Sequence, residues 1–150
     1  MIYVDLAGAL HPPTWTASGV GAVLPTGGGT VETNINVPTA GLYHLWLAGS
    51  FRDGIDLLVD GRRAADERDM LNNDGQYTPF GRLFLSAGSH QLTLDYSGPD
   101  LRPGSGGPQF AFGPVALTRD SDDGPMLSVT PAKARTLCGQ SLDWIESLSG

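Results

Sequence analysis

The sequence predicts an all-β protein, an antiparallel β-sandwich with a short C-terminal helix. Short segments in which apolar and polar residues alternate recur roughly every ten residues between positions 30 and 119. Turn-forming residues separate them, and 21 Gly and 11 Pro suit a fold of many tight turns better than a helical bundle. A length of 150 residues provides one domain with a sizeable core.

The first 40 residues are predicted to contain three strands and a loop. Residues 2–6 form the first strand, and a short strand follows near Trp15. Residues 17–29 show no helical period and are predicted as a loop. The segment "TVETNINV" (residues 30–37) alternates strictly, so one face of this strand is buried and the other faces water.

The next strand carries outward aromatic residues. In "GLYHLWLAG", His44 and Trp46 are predicted to face outward because they alternate with the core positions Tyr43, Leu45 and Leu47. Residues 55–61 form a strand that ends in a hairpin turn at Asp60 and Gly61. A polar loop with at most one helical turn is predicted for residues 64–75.

Two further strands and a last core strand complete the predicted sandwich. Residues 77–88 and 90–97 alternate again, and a Gly/Pro loop follows over residues 98–108. The last core strand, residues 109–119, is predicted to contain a bulge at Gly113–Pro114.

The chain is predicted to divide into a sandwich domain, residues 1–124, and a C-terminal extension, residues 125–150. The extension either packs on the sandwich or links it to a parent protein. Its helix begins at Thr130 and Pro131 and stops at Gly139.

Charge and composition limit the partners. A net charge of −7 argues against nucleic acid and against anionic membrane surfaces, and suits a neutral ligand, a basic ligand or a cation. No stretch approaches the roughly 18 apolar residues of a membrane span, so direct membrane insertion is not expected. The N-terminus has no signal-peptide pattern, and we interpret the chain as an excised domain.

Catalytic motifs are absent from the sequence, so an enzyme is not predicted. The nearest match to a G-x-S-x-G elbow, which starts at Gly139, fails at its last position. The single cysteine, Cys138, lies at the C-terminal end of the predicted helix, where the helix dipole raises a thiol pKa, which favours a buried structural thiol. The three histidines lack the companions of a zinc site.

Sugar-binding chemistry is predicted in the loops. A sugar ring needs an aromatic surface for its C–H face and planar polar groups for its hydroxyls. The predicted loops offer this mixture, and the candidate ligand-binding residues there are Arg52, Asp53, Asn72, Asn73, Asp74, Tyr77 and Arg102. The alternative interpretation is ordinary turn chemistry, because Asn and Asp favour turns.

The outward face of the central strands is the second candidate surface. Trp46 is its candidate ligand-binding residue, and the residues predicted to share the surface are His44, Phe84, Arg82, Gln91, Thr93 and Asp95. The alternative is that the C-terminal extension lies across this patch and contributes Leu142, Trp144 and Ile145.

Calcium is the third possibility. Asp5 in the first strand is the candidate metal ligand, and an acidic segment, "RDSDDG", follows the last core strand. The segment lacks the full D-x-D-x-D-G spacing and also fits a solvated acidic linker.

Four segments of strands and turns resemble a known family: "NVPTAGLYHLWLAG", "IDLLVDGRR", "GRLFLSAGSHQLTLDYSG" and "GGPQFAFGPVALT". The chain resembles the jelly-roll carbohydrate-binding modules of families 6 and 35, and the wider galactose-binding-like sandwiches, over roughly residues 30–119. The resemblance implies loop aromatics that contact the ligand, for which Trp15, Tyr77 and Phe80 are available. It also implies a structural calcium between the first and last strands, although Gly113 stands where the family has an Asp ligand.

The resemblance implies a non-catalytic sugar-binding module whose partner is a glycan. The module would belong to a larger secreted, cell-surface or periplasmic protein, whose parent domain is catalytic or membrane-bound, such as a cell-wall glycosyltransferase or a glycoside hydrolase. The alternative function is a structural or protein-interaction sandwich with no sugar site, and the third and least favoured is a small glycan-acting enzyme with two facing carboxylates.

Overall fold

A computed structural model of the protein describes residues 1–51, 54–68, 76–98 and 111–120, with only the backbone described for residues 65–68. The predicted C-terminal helix and the extension from residue 125 onward lie outside the described residues. In chain order the ten described strands are β1 Ile2–Val4, β2 Thr16–Ser18, β3 Ala22–Leu24, β4 Gly29–Val37, β5 Gly41–Gly49, β6 Gly54–Val59, β7 Arg62–Arg68, β8 Tyr77–Leu85, β9 Gly88–Tyr96 and β10 Phe112–Arg119.

The strands form two antiparallel sheets, as predicted for a β-sandwich. Sheet A has the order β2-β3-β10-β5-β8, and β1 pairs with β10 beside β3. Sheet B has the order β4-β9-β6-β7. The described part of the chain contains no helix long and apolar enough to cross a membrane.

The core lies between the sheets and is built from alternate residues of both. Each strand turns every second side chain inward, so period-2 apolar patterns give one buried face. Fully buried aliphatic side chains come from β5 and β10 of sheet A and from β4, β6 and β9 of sheet B: Leu45, Leu47, Val115, Leu117, Val31, Ile55, Leu57, Leu92 and Leu94.

Three strands lie where the sequence predicted loops. The short strands β2 and β3 occupy much of the segment predicted as loop 17–29, and β7 occupies the start of the predicted polar loop 64–75. Their sequences are polar or too short for a visible alternation. They form because a neighbouring strand supplies the hydrogen-bonding partner: β10 for β3, and β6 for β7.

The first strand is shorter than predicted, because Asp5 turns the chain. The Asp5 carboxylate accepts hydrogen bonds from the backbone amides of Ala7 and Gly8, at 2.9 and 3.1 Å. Asp side chains that bond the backbone two or three residues ahead stabilise turns and compete with strand pairing.

The bulge predicted in the last strand is present. The pairing of β10 with β5 shifts register between Phe112 and Val115, around Gly113 and Pro114. Gly113 has φ +107°, and a Cβ there would lie 2.6 Å from the Gly21 carbonyl oxygen, so only glycine fits.

The hairpin turn at Asp60 and Gly61 is also present and is tied to the adjacent turn. Both residues have positive φ, 51° and 71°, as a type I′ turn requires. His90 Nδ1 lies 2.6 Å from Asp60 Oδ2, and His90 Nε2 lies 2.9 Å from the Ser86 carbonyl oxygen. Because both partners are acceptors, this geometry favours the doubly protonated ring, the imidazolium form of His90. We call this contact the Asp60–His90 clamp.

Candidate functional site

The connections that contain the predicted loop ligands leave the sandwich at one end. Residues 52–53 join β5 to β6, residues 69–75 join β7 to β8, and residues 99–110 lie between β9 and β10. The antiparallel register places the strand ends that flank these connections side by side. We call this the loop end, and the opposite end, with the Asp60–His90 clamp, the turn end.

Backbone hydrogen bonds hold the flanking strand ends together. Near the end of β5, the Gly49 amide donates to the Gln76 carbonyl just before β8 at 2.9 Å, and the Ser50 amide donates to the Ala111 carbonyl just before β10 at 3.3 Å. Just after β9, the Ser97 amide donates to the carbonyl of Gly54, the first residue of β6, at 3.0 Å. The roots of all three connections are therefore fixed relative to one another. The predicted ligands Arg52, Asp53, Asn72, Asn73, Asp74 and Arg102 themselves lie outside the described residues.

An aromatic cluster fills the core beneath the loop end. The Phe112 ring packs edge-on against Trp15 at 5.6 Å and tilted against Tyr96 at 5.4 Å, centroid to centroid. Phe51 and Phe80 form a second pair at 6.0 Å. All five rings are buried, and Trp15 is only 3% exposed. Trp15 and Phe80, offered by the resemblance as ligand aromatics, are therefore core residues that support the loops.

Tyr77 is the predicted loop aromatic that stays partly accessible. It begins β8 directly after the 69–75 connection and stands opposite Ala48 of β5. Its neighbour Thr78 is buried, so Tyr77 lies on the outer face of sheet A, at the margin of the loop end. Its contact with a ligand remains a prediction.

At Gly49, at the base of the loop end, the backbone of β5 lies very close to the backbone of Ala111 and Phe112. It has φ +102°, and a Cβ there would lie 2.4 Å from the Ala111 carbonyl oxygen and 2.8 Å from Phe112 Cα. Side chains other than glycine are strained at this φ, and the clash is with backbone that cannot rotate away.

We expect Gly49→Ala to lower the free energy of unfolding by about 1–3 kcal/mol or more, as strained backbone positions do. Urea denaturation measures the loss. Gly61→Ala is the matched control, since Gly61 also has positive φ, but a Cβ at that position would meet no atom within 4 Å. Equal effects of the two substitutions would show that the clash with Ala111 does not matter.

The second candidate surface is the outer face of sheet A. Register places Trp46 between Ala116 of β10 and Pro79 of β8, and places His44 between Thr118 and Arg82. Trp46 is 8% exposed, and its indole Nε1 donates to Thr118 Oγ1 at 3.1 Å. The indole also stacks with the His44 imidazole, with ring centroids 6.3 Å apart, and ligand contact by Trp46 remains a prediction.

The polar side chains of this face form one charged group. His44 Nε2 contacts Asp120 Oδ1, and Arg82 Nη1 lies 3.9 Å from Asp120 Oδ2. Phe84 adjoins the group and is 60% exposed. The outer face thus combines an open aromatic ring with planar polar groups along its β8 margin.

The predicted membership of this face was wrong for three residues. Gln91, Thr93 and Asp95 belong to β9, which pairs with β4 and β6 in sheet B. Alternation along one strand predicts which face a residue takes, but it carries no information on the sheet to which the strand belongs.

The described residues contain no cluster of ligands for calcium. Among them, no group of three or more His, Cys, Asp or Glu side chains could hold a metal ion. Asp5 uses one carboxylate oxygen for two backbone amides. Most of the acidic segment lies beyond residue 120, outside the described residues, so Asp5 as a ligand remains a prediction.

Comparison with known proteins gives matches of structure only. No protein-family model matches the chain, and no curated protein matches it in sequence. Solved structures do match, at low identity. The mannan-binding module of Man5C is 18% identical, with a TM-score of 0.57 and coverage of 78% of this chain and 97% of that one.

Two further structures show the same fold. The GH26-CBM35 β-(1,4)-mannanase of Podospora anserina is 13% identical, with a TM-score of 0.56 over 82% of this chain, which spans only 28% of that longer enzyme. A family 36 module in complex with calcium and xylotriose is 12% identical, with a TM-score of 0.51 over 79% of this chain and 100% of that one. The protein has the β-sandwich fold of the carbohydrate-binding modules, which confirms the fold that the sequence resemblance implied.

Proposed function

We propose that this protein is a non-catalytic carbohydrate-binding module that binds a glycan at the loop end. The observation that carries the proposal is the convergence of three polar connections on one rigid edge of the sandwich. The chain also spans nearly all of two modules whose names state a sugar ligand, mannan in one and xylotriose in the other.

The loop end has the two properties that glycan binding requires. Its base is rigid, because buried aromatic rings and interstrand hydrogen bonds fix the roots of the connections. A fixed base lowers the conformational entropy lost on binding. The connections supply Asn, Asp and Arg groups for sugar hydroxyls, and Tyr77 supplies a ring for stacking. A net charge of −7 favours a neutral or amino-bearing glycan.

A Ser–His–Asp arrangement at the turn end does not contradict a binding role. Ser86 Oγ lies 3.4 Å from His90 Nε2, and Asp60 holds the other ring nitrogen. A general base must have a free ring nitrogen to take the serine proton. Here Nε2 lies 2.9 Å from the Ser86 carbonyl oxygen, an acceptor that only a protonated nitrogen can bond, so Nε2 is not free to take the serine proton and the ring links the two turns instead.

A glycan array with the intact chain tests the proposal, and isothermal titration calorimetry then measures the affinity of Tyr77→Ala. We expect one glycan class to bind and Tyr77→Ala to weaken binding by about fivefold or more, if the loss of one stacking ring costs about 1–3 kcal/mol, as it does for nucleobases stacked on aromatic side chains. Phe84→Ala is the control, since its exposed ring lies on another part of sheet A. A blank array with protein that shows a cooperative thermal transition would overturn the proposal.

The same array with calcium and with a chelator tests the metal hypothesis. Calcium dependence that Asp5→Asn abolishes would support a structural or ligand-bridging ion. Binding that is equal in both conditions would remove calcium from the proposal and leave the glycan site in place.

We further propose that the module belongs to a larger extracellular, cell-surface or periplasmic protein that acts on glycans. Support comes from the mannanase described above: 82% of this chain matches a part of that enzyme, and the matched part is 28% of its length. Fractionation of cells that express the natural full-length protein, probed with an antibody to this domain, tests this. Recovery in the cytosol alone would contradict it.

An interaction domain without a sugar site is the second candidate. The observation that favours it is an apolar surface next to β1, where Tyr3 and Val20 are 46% and 83% exposed and the Tyr3 hydroxyl donates to the Val20 carbonyl. Substitution of Val20 by Ser should then weaken association with the parent domain and leave any glycan affinity unchanged.

A further inference from the structure

Strand β4 lies at the edge of sheet B, and among the described strands it has no neighbour on the side away from β9. Its nine residues pair with β9 without a register shift, so their N–H and C=O groups point alternately towards β9 and towards the open edge. Glu32 points to the edge, because both its N–H and its C=O bond to Leu10. The residues at every second position therefore share this direction: Thr30, Glu32, Asn34 and Asn36.

The segment between β1 and β2 covers the first half of this edge, and we call residues 5–15 the strap. The Leu10 amide donates to the Glu32 carbonyl at 3.0 Å, and the Glu32 amide donates to the Leu10 carbonyl at 2.8 Å. The strap also packs against the first residue of β4, since a Cβ at Gly29 would lie 2.5 Å from Pro12 Cγ. Leu10 thus occupies the place that a neighbouring strand would take beside Glu32.

The second half of the edge is open but short. Asn34 and Asn36 are exposed, and the backbone hydrogen bonds of the described residues leave their outward N–H groups without a partner. Pro38 follows directly after the strand and has no N–H to offer. Covering loops, proline and short open stretches are the means by which proteins keep edge strands from pairing with other chains. The edge of β4 has all three.

Without the strap, β4 would be complementary to a second copy of itself. An antiparallel pairing of two β4 strands about Thr33 overlaps all nine residues of each. The edge-facing residues then pair with each other, without like charges directly opposite: Glu32 with the partner's Asn34, and Thr30 with the partner's Asn36. Such a pairing would join two B sheets into one continuous sheet.

We infer that the strap is an autoinhibitory cover of β4, which keeps the chain from pairing with a second copy of itself. While the hydrogen bonds between Leu10 and Glu32 hold, the chain is a monomer. When they are released, two copies pair through their β4 strands, about Thr33. The inference is independent of the proposed glycan site, since β4 flanks none of the three connections at the loop end.

Amide hydrogen exchange of the unaltered chain, followed by NMR, tests the cover without any substitution. We expect the Glu32 amide to exchange about tenfold or more slowly than the amides of Asn34 and Asn36, because only Glu32 donates to the strap. Sedimentation velocity should show a monomer over a roughly hundredfold range of concentration. Equal exchange of the three amides, or a dimer in which Asn34 and Asn36 are protected as well, would overturn the inference.

Leu10→Pro removes the amide that bonds to Glu32 and should release the strap. We expect this variant to dimerise as its concentration rises and to gain exchange protection at Asn34 and Asn36. Leu10→Ala is the matched control: it keeps the backbone amide and should stay monomeric. A cooperative thermal transition at low concentration verifies that Leu10→Pro is folded. A folded Leu10→Pro variant that stays monomeric, or whose Glu32 amide stays protected in the monomer, would contradict the role of the strap.

Two substitutions added to the Leu10→Pro chain test the pairing itself. Asn34→Glu places a carboxylate opposite the partner's Glu32, and because this contact occurs twice in a symmetric dimer we expect dimerisation to weaken by about fivefold or more. Asn36→Glu makes the same change in net charge but faces the partner's Thr30, and it should alter dimerisation by less than about twofold. Equal effects of the two substitutions would rule out the pairing about Thr33.

Discussion

Replacement of Phe112 by alanine is expected to lower the free energy of unfolding by about 3–5 kcal/mol, the usual cost of removing a buried phenylalanine ring. Phe112 is fully buried and contacts both Trp15 and Tyr96 through edge-on and tilted ring pairs. The substitution removes these contacts and leaves a cavity directly beneath the loop end. Guanidinium denaturation followed by tryptophan fluorescence measures the loss.

The exposed Phe84 provides the matched control for this substitution. Phe84→Ala removes the same ring from a position that is 60% exposed, and we expect a change within about 0.5 kcal/mol. If glycan binding depends on a rigid base, Phe112→Leu should weaken it at a temperature where the variant is still folded. Equal losses of stability for Phe112→Ala and Phe84→Ala would show that the aromatic cluster is not a core element.

The Asp60–His90 clamp is expected to make the stability of the domain depend on pH. The hydrogen bond to the Asp60 carboxylate, and then that to the Ser86 carbonyl, raises the pKa of His90 above its ordinary value of 6.5. The hydrogen bond from His90, with that from the Gln91 amide, lowers the pKa of Asp60 below its ordinary value of 3.8. Arg62 acts on Asp60 in the same direction.

The signs of the two contributions define a window. A raised histidine pKa stabilises the fold fully below pH 6.5, and this contribution is lost as the pH rises through the pKa of His90 in the folded state. A lowered carboxyl pKa stabilises the fold above pH 3.8, and this contribution is lost as the pH falls through the pKa of Asp60 in the folded state. Both contributions are complete between pH 3.8 and pH 6.5.

Urea denaturation at a series of pH values measures this dependence. We expect stability to decrease from about pH 6 to about pH 8 in the unaltered chain, and the decrease to be absent in His90→Gln. His11→Gln removes a histidine outside the clamp and should retain the decrease. An unaltered chain with constant stability over this range would show that His90 is not an imidazolium in the folded state.

Local patterns predicted the central strands because each carries its signal within a few residues. The alternation of β4, the inward Tyr43, Leu45 and Leu47 of β5, and the Asp60–Gly61 turn all agree with the structure. The bulge at Gly113–Pro114 was also predicted, since adjacent Gly and Pro inside a strand often mark a bulge. The fold class followed from these elements and is confirmed by the solved structures of the same fold.

The short strands β2 and β3 and the polar edge strand β7 were not predictable in this way. Their residues carry no period, and their extended form depends on hydrogen bonds to a strand that lies far away in sequence or across a hairpin. The burial of Trp15 and Phe80 was not predictable for the same reason. Whether an aromatic residue beside a turn is buried depends on strands that are distant in sequence and enclose it.

By itself the sequence determined an all-β sandwich, its main strands and their turns, and the residue types suited to a glycan. Alternation and turn chemistry act between near neighbours and are therefore visible in one dimension. Only the tertiary structure decided that β9 belongs to sheet B, that the roots of three connections meet at one end, and that Trp46 is buried. Those features depend on which strands pair, and pairing is decided by burial and hydrogen bonding summed over the whole domain.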